Sequence, residues 1–254
     1  MTYILAVASA KGGVGKTTTA INLTSALIEF GRHAILVDGC LQKPNIGLYL
    51  GIQTQKTMHS ALRGVHSVSE SIVRHASGIP VIIGKLNSKQ SFTKTHVSEA
   101  LTELLTKTEL VIVDTPPTLE PSTQDVLYSC DGVLLITSQD ILSVTDTLKT
   151  AQFARAHGKQ ILGVVVTHTY KQDTDITLQS IAATLDTQVV AEIPYDRKLH
   201  DSLKKRHPIL YIDDGAPSAI AYKKLAANLI GQTYEPSISK KNFLQFILQH
   251  FYRK

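Results

Sequence analysis

Residues 11–18 of the chain, KGGVGKTT, specify the architecture around them. An apolar run over residues 3–9 leads directly into this segment, and a helical pattern over residues 16–30 begins inside it. Glycines let consecutive backbone N–H groups turn toward a phosphate, and the start of the following helix adds its dipole. The order of strand, glycine loop and helix therefore predicts a loop that binds the phosphates of a nucleotide.

Two side chains of this loop have the chemistry that phosphate and metal binding require. The Lys16 ammonium can reach the β- and γ-phosphates, and the Thr17 hydroxyl can serve as a ligand of Mg²⁺. The segment fits the G-x-x-x-x-G-K-[ST] pattern only loosely, because the first glycine of that pattern falls at Ala10. The alternative is a tight strand-to-helix turn without a ligand, but the complete order of elements favours nucleotide binding.

The rest of the chain alternates short β-branched runs with helical stretches, which is typical of βαβ units. Most of these runs are apolar throughout, as in strands buried on both faces. We expect an α/β fold with a doubly wound, mostly parallel sheet, helices on both faces and the nucleotide at the carboxyl ends of the strands. The predicted strands are residues 3–9, 34–38, 81–83, 110–114, 132–137, 161–166 and 189–193, and the predicted helices are residues 16–30, 97–106, 144–157, 176–185 and 219–230.

Composition restricts the class of protein. Of the 254 residues, 43% are hydrophobic and 19% are charged, which excludes a disordered or fibrous chain. The two cysteines, Cys40 and Cys130, are too few for a disulfide scaffold or an iron–sulfur cluster within one chain. No apolar run approaches the roughly 20 residues of a membrane span, and no charged leader opens the chain. We therefore expect a cytoplasmic protein.

The net charge of +5 is concentrated in the last fifteen residues, which hold four bases and no acid. The rest of the chain, with 22 bases and 21 acids, lacks the basic patch of a dedicated nucleic-acid binder. We expect one domain over residues 1–232, a linker over 233–239 and an amphipathic helix over 240–254 that lies on a membrane surface. The alternative for this helix is docking on the core of the protein itself. Its apolar face would consist of Phe243, Leu244, Ile247, Leu248 and Phe251.

Residues 11–18 resemble the deviant Walker A motif of the MinD/ParA family of dimerising ATPases, with archaeal-type MinD the most similar branch. The resemblance implies a phosphate-loop NTPase fold of the SIMIBI type that binds ATP/ADP with Mg²⁺ and hydrolyses ATP to ADP and phosphate. It also implies that Lys11 crosses the interface of an ATP-bound homodimer to the partner's nucleotide. A buried cation between two polyphosphates offsets their charge.

The same resemblance assigns roles outside the loop. Residues 111–114 look like the Walker B strand, with Asp114 holding Mg²⁺ through water. Residues 193–196 resemble the adenine-side loop of MinD, from which Pro194 and Asp196 are carried over. At Thr167 the archaeal-type family has an asparagine that would contact adenine, so only the family implies a preference for ATP over GTP. The phosphate-loop residues assigned to the nucleotide are Lys11, Gly12, Gly13, Val14, Gly15, Lys16, Thr17 and Thr18.

Residues 37–48, VDGCLQKPNIGL, resemble switch I of the family but depart from it at one position. MinD-like proteins have an Asp-x-Asp here, and this chain has Asp38 followed by Cys40. A neutral thiol is a poor hydrogen-bond acceptor and a poor Mg²⁺ ligand. Three interpretations remain: slow hydrolysis in a persistent dimer, water positioned by Gln42 instead, or a peculiarity of this sequence. We expect slow hydrolysis, with Lys11, Lys16 and Asp38 as the catalytic residues.

Together these features predict an ATP-dependent dimerising switch of the MinD type that binds the inner face of the cell membrane and positions a division or polar apparatus. Two tails on one dimer would bind roughly 10²–10⁴ times more tightly than one, so nucleotide would control membrane binding. The expected partners are a second copy of the chain, an anionic membrane surface and an unidentified activator or cargo protein. The alternatives are a ParA-like DNA-partition ATPase, a hydrolysis-poor scaffold, and FlhG-type positioning of a motility apparatus. Nucleic acid is the less expected partner.

Overall fold

A mostly parallel β-sheet forms the centre of the computed structural model, which describes residues 2–86, 92, 94–169 and 176–236. The eight strands of these residues are β1 (Tyr3–Ala8), β2 (Ala34–Asp38), β3 (Val73–Arg74), β4 (Pro80–Ile82), β5 (Leu110–Asp114), β6 (Gly132–Ser138), β7 (Gln160–Thr169) and β8 (Val189–Pro194). Their order in the sheet is β3-β4-β2-β5-β1-β6-β7-β8. All neighbouring pairs are parallel except β3 and β4, which are antiparallel at the edge of the sheet.

Helices cover both faces of this sheet. Those that the structure describes are α1 (Lys16–Glu29), α2 (Ile46–Leu50), α3 (Met58–Leu62), α4 (Lys94–Leu104), α5 (Pro121–Tyr128), α6 (Ile141–Ala156), α7 (Leu178–Leu185), α8 (Arg197–Lys204), α9 (Ile209–Ile212) and α10 (Pro217–Leu229). Apolar residues of α1 and α10 form a core on one face, and those of α4, α5, α6 and α7 form a second core on the other. The predicted doubly wound fold is therefore confirmed.

Strand β1 shows why the apolar runs form buried strands. Successive side chains of a strand point to opposite faces, so a strand between two helical layers needs apolar residues at every position. Ile4, Ala6 and Ala8 pack in the core against α4–α7, and Leu5 and Val7 pack in the core against α1 and α10. Because β1 lies in the middle of the sheet, the loop that follows it lies at the middle of the sheet's carboxyl edge.

The predicted strands and helices are found close to their expected places, and several short elements were not predicted. The antiparallel edge strand β3 has two residues, too few for any periodicity. The predictions missed the short helices α2, α3, α5, α8 and α9. The predicted membrane helix and residues 237–239 of the predicted linker lie outside the described residues. Within the described ranges, no helix is long and apolar enough to cross a membrane.

Candidate functional site

The loop between β1 and α1 has the backbone geometry that phosphate binding requires. Gly13 and Gly15 adopt left-handed conformations, with φ of 79° and 88°, and Gly15 is the N-cap of α1. Residues other than glycine rarely adopt this left-handed backbone conformation, which turns successive N–H groups toward one side. The loop thus presents backbone N–H groups and the start of a 14-residue helix at the centre of the sheet's carboxyl edge.

Lys16 is held inside this loop. Its side chain is only 6% exposed, and its Nζ donates a hydrogen bond to the Lys11 carbonyl at 2.6 Å. Burial lowers the pKa of Lys16 to about 8, although the charge of Asp114 opposes this shift. A buried ammonium with one backbone partner gains most from an anionic ligand, because the ligand's charge offsets the cost of its burial.

Asp114 and Thr17 form the part of the site that suits a metal ion. The Thr17 hydroxyl donates to Asp114 Oδ2 at 2.6 Å, which brings together the start of α1 and the end of β5. Asp114 Oδ1 is buried and has no hydrogen-bond partner among the described residues. Burial raises the pKa of this carboxyl to about 7, against the hydrogen bond from Thr17 and the charge of Lys16. A buried carboxylate oxygen without a partner and an adjacent hydroxyl fit the oxygen ligands that Mg²⁺ prefers.

Asp38 lies beside Asp114, since the two residues are in register at the ends of β2 and β5. Its carboxylate is fully buried and accepts the backbone N–H groups of Cys40, at 3.2 Å, and Ile46, at 3.1 Å. Burial and the charge of Asp114 raise its pKa to about 8, and these hydrogen bonds oppose the shift. Asp38 therefore holds both ends of the segment from Cys40 to Ile46 in place, and it does not line the cavity described below.

Cys40 is one of the residues of this segment that line the cavity described below, together with Asn45. It is 5% exposed, and burial together with the charge of Asp38 raises the pKa of its thiol to about 11. The thiol is therefore neutral near pH 7. Gln42 points elsewhere, because its Nε2 donates to the Ser122 hydroxyl on α5 at 3.3 Å. Gly39 permits this arrangement, since a Cβ at this position would lie 2.7 Å from the Asp114 carbonyl oxygen.

These groups surround a cavity of about 680 Å³. It is lined by the phosphate loop, Asp114 and Cys40, and also by His168, residues 193–196 and residues of α8. Pro194 is among the lining residues. Asp196 is too, but its carboxylate also caps α8 and accepts from the Ser218 hydroxyl at 2.7 Å. Of the eight predicted phosphate-loop residues, six line the cavity, and Lys11 and Val14 do not: those that do are Gly12, Gly13, Gly15, Lys16, Thr17 and Thr18.

The side chain of Thr167 has a role that the sequence did not indicate. Its Oγ1 lies 2.8 Å from the Val14 carbonyl oxygen and 3.1 Å from that of Thr137 on β6. This hydroxyl thus connects the phosphate loop to β6 and β7. The next residue, His168, has φ of 54° and lines the cavity. A hydroxyl within reach of a main-chain carbonyl 153 residues away has no local sequence signal.

Lys11 does not line the cavity, and its charge acts on acids at the start of α6. Its charge contributes to lowering the pKa of Asp140 and that of Asp146. Burial raises the pKa of Asp140, but hydrogen bonds with Ser143 lower it and outweigh the effect of burial. In Asp146, the hydrogen bond with Lys149 is the largest cause. The Lys11 side chain is half-buried, and in this chain alone its charge interacts with acids at the start of α6.

Three features define the class of protein as a P-loop NTPase. They are a glycine loop between a central strand and a helix, the buried Lys16, and the Asp114 carboxylate that accepts a hydrogen bond from Thr17. A family profile described as "ParA: NUBPL iron-transfer P-loop NTPase" matches residues 1–230. The chain therefore belongs to the ParA family of P-loop NTPases. The described residues contain no group of three or more His, Cys, Asp or Glu that could hold a metal ion, and Cys40 and Cys130 are both buried and unpaired.

Individual relatives agree with this family. An uncharacterised ATP-binding protein of Methanocaldococcus jannaschii is 28% identical over 245 residues, which are 95% of this chain and 92% of that protein. The cell division ATPase MinD of Pyrococcus furiosus superposes with a TM-score of 0.85 and 28% identity, over 91% of this chain and 99% of that one. The septum site-determining protein MinD of Pyrococcus horikoshii, solved with Mg-ADP, gives 0.85 and 27%, over 90% and 96%. The chain is thus an ATPase of the MinD/ParA type, as its resemblance implied.

Proposed function

We propose that this chain is an ATP-dependent switch that dimerises around Mg·ATP, binds a membrane surface through residues 240–254, and positions a division or polar apparatus. The observation that carries the proposal is the cavity itself, which is lined by the phosphate loop, with the charge of Lys11 acting on Asp140 at the start of α6. A nucleotide lying there would be open to a second copy of the chain. The names of the two archaeal structures, a cell division ATPase and a septum site-determining protein, support the cellular role.

The residues that would hold the nucleotide follow from the geometry. The backbone of the phosphate loop and the Lys16 ammonium would bind the phosphates, after Lys16 exchanges the Lys11 carbonyl for phosphate oxygens. Thr17 and Asp114 would hold the magnesium, the latter through the oxygen that has no partner in the described structure. When bound, the metal would neutralise charge on the phosphates. Pro194 and Asp196 would lie beside the base.

Exposed apolar residues beside Lys11 support ATP-dependent dimerisation. Ile141 and Leu142, the first two residues of α6, are 64% and 65% exposed, and they follow Asp140, whose pKa is affected by Lys11. Leu48 and Tyr195, which line the cavity, are also exposed. Large apolar side chains exposed around a ligand site are typical of a surface that a partner covers. A second copy of the chain would bury them and bring its own Lys11 to the nucleotide.

Cys40 supports slow turnover within such a dimer. The neutral thiol lines the cavity at a position where MinD-like proteins have a carboxylate, and it cannot act as a general base near pH 7. Gln42 is bonded to Ser122 and does not line the cavity, which disfavours it as a substitute. The proposed switch would therefore remain in its ATP-bound state for a long time unless an activator shortens it.

Dimerisation is tested by light scattering with Mg·ATP and with Mg·ADP, alongside the binding of a fluorescent ATP analogue. The wild-type chain should dimerise with ATP, and Lys11→Gln should bind ATP but remain monomeric. Lys149→Gln removes a positive charge from an exposed position on α6 and should dimerise as the wild type does. If Lys11→Gln also dimerises normally, the proposed role of Lys11 is wrong.

Membrane binding is tested by co-sedimentation with anionic vesicles. Pelleting with Mg·ATP and not with Mg·ADP is the expected result, because two tails on one dimer bind more tightly than one. Equal pelleting in both states would contradict control by nucleotide. No pelleting in either state, together with salt-sensitive binding to duplex DNA, would instead favour a DNA-partition ATPase.

A further inference from the structure

A second cavity lies at the end of the sheet opposite the nucleotide. It has a volume of about 230 Å³ and is formed where α1 ends, β2 begins and the edge strands β3 and β4 meet. None of its residues belongs to the site described above. The aliphatic residues that line this second cavity are Ile28, Ile35, Ile72 and Pro80.

The charged side chains of this cavity are all basic. Arg32, Arg74 and Lys107 line it, and the acid ion-paired with this group is Glu109, whose Oε2 lies 2.9 Å from Arg32 Nη2. Arg32 Nε is buried without a hydrogen-bond partner among the described residues, so this guanidinium has a donor that is not used. Arg74 donates to the Gly78 carbonyl at 3.0 Å and is otherwise exposed. Two guanidinium groups and an ammonium around one cavity suit a phosphate-bearing ligand.

Apolar side chains line the same cavity. Ile35 is buried, Ile28 and Ile72 are partly buried against the two hydrophobic cores, and Pro80 begins β4. A free phosphate or a nucleic-acid backbone would leave this aliphatic surface without a partner. A glycerophospholipid presents a phosphate next to the CH2 groups of its glycerol and the start of its acyl chains, so it offers an anion and apolar carbon side by side, as the cavity requires.

The last described residues of the chain lie at the same end of the molecule as this cavity. The Tyr234 ring packs edge-on against the ring of Phe30, with centroids 5.7 Å apart. Phe30 is the C-cap of α1 and lies two positions before Arg32. Lys223 Nζ lies 5.9 Å from the Tyr234 ring and 2.6 Å from Glu29 Oε1, so the acid at the end of α1 is neutralised. The last described residues of the chain therefore lie at the end of α1, close to the basic cavity.

We propose that this cavity binds the phosphate of an anionic lipid headgroup and forms a second membrane contact next to the tail. The inference rests on the proposed membrane binding and adds to it a contact made by the folded domain. Arg32, Arg74 and Lys107 hold the phosphate, and the aliphatic residues contact the glycerol. The domain then has a fixed orientation on the bilayer, because it is held at two points.

The test uses the full chain with Mg·ATP and vesicles that contain increasing fractions of phosphatidylglycerol. The double variant Arg74→Gln/Lys107→Gln removes two exposed charges of the cavity and leaves the Arg32–Glu109 pair intact. A basic residue near an anionic bilayer contributes a factor of about five, so the variant should bind about 25-fold more weakly. The matched control, Arg63→Gln/Lys205→Gln, loses the same charge at exposed positions outside the cavity and should lose about threefold or less.

The outcomes separate the two proposals. If the wild-type chain binds vesicles and both double variants weaken binding equally, the cavity inference is wrong and the proposed function stands. If the wild-type chain does not bind vesicles, the proposed function fails first. Amide NMR shifts at residues 32–34 on adding glycerol phosphate then report on the cavity: shifts without vesicle binding identify a site for soluble phosphate and overturn the lipid inference. Loss of duplex DNA binding in the cavity variant alone would assign the surface to nucleic acid.

Discussion

Replacement of Cys40 by aspartate tests whether switch I sets the charge balance of the site. The substitution restores the second carboxylate of the MinD pattern at a position 5% exposed, beside two buried carboxylates. We expect ATP turnover to rise relative to the wild-type chain, because a carboxylate can orient water where a neutral thiol cannot. The same change should destabilise the protein without nucleotide, since a third negative charge then lies near Asp38 and Asp114.

The size of this destabilisation follows from the thiol that occupies the position now. Burial and the nearby carboxylates raise the pKa of Cys40 from 9.0 to about 11. At about 1.4 kcal/mol for each pKa unit, a negative charge at this position costs roughly 2–3 kcal/mol. A carboxyl whose pKa is raised in the folded state lowers stability above that pKa and has no such effect below its unfolded value, about 4. The penalty should therefore be largest near pH 8 and absent near pH 4.

Urea unfolding without nucleotide and Mg²⁺ measures this penalty. The reference is Cys40→Asn, which has the shape of the aspartate variant without its charge. At pH 8 the aspartate variant should unfold with a free energy lower by roughly 2–3 kcal/mol, and the difference should decrease as the pH falls. Equal stability of the two variants at pH 8 would refute the conclusion that the two neighbouring carboxylates and burial disfavour charge at this position.

Three other perturbations address the site from different directions. Lys16→Ala should weaken ATP binding by about 100-fold, measured by calorimetry, since two charge-assisted hydrogen bonds to phosphate are lost; unchanged affinity would remove Lys16 from the site. Thr167→Val should weaken ATP binding by about tenfold, because the Val14 carbonyl loses its donor; wild-type affinity would show that this contact does not support the loop. His59 is buried, donates from Nε2 to a carbonyl at 2.7 Å and accepts the Lys85 N–H, and burial lowers its pKa. The folded state therefore loses stability as the pH falls below about 6.5, and His59→Gln should reduce the fall in unfolding free energy measured between pH 7 and 5.

The parts of the fold that could be predicted are those with a repeating physical cause. Buried parallel strands need apolar residues at every position, so β2 and β5 were predicted with the bounds that the structure has. The short helices α2 and α9 have no such pattern. They contain five and four residues, fewer than two turns, and are stabilised by packing rather than by periodicity.

The residues of the site likewise fall into those with a local sequence pattern, which could be predicted, and those without one. Lys16, Thr17 and Asp114 were predicted because a local motif and a strand end place them. The sequence did not predict that the Asp38 carboxylate accepts hydrogen bonds from the backbone of its own loop. Its two partners are backbone N–H groups, which every residue except proline has, so they leave no sequence signal. The basic cavity at the opposite end was missed as well. Its arginines and lysine come from positions 32, 74 and 107, and only the tertiary fold brings them together.

The hydroxyl of Thr167 has a consequence for how nucleotide specificity can change. It lies within hydrogen-bond distance of the Val14 carbonyl, and the next residue on the strand, His168, lines the cavity. An asparagine introduced here to contact the base would give up the donor that supports the phosphate loop. A substitution at Thr167 that changes base selectivity would therefore also change how firmly the phosphate loop is held. An evolutionary path that alters the first must pass through variants that compensate the second, and a laboratory selection for a new nucleotide would have to mutate both sites together.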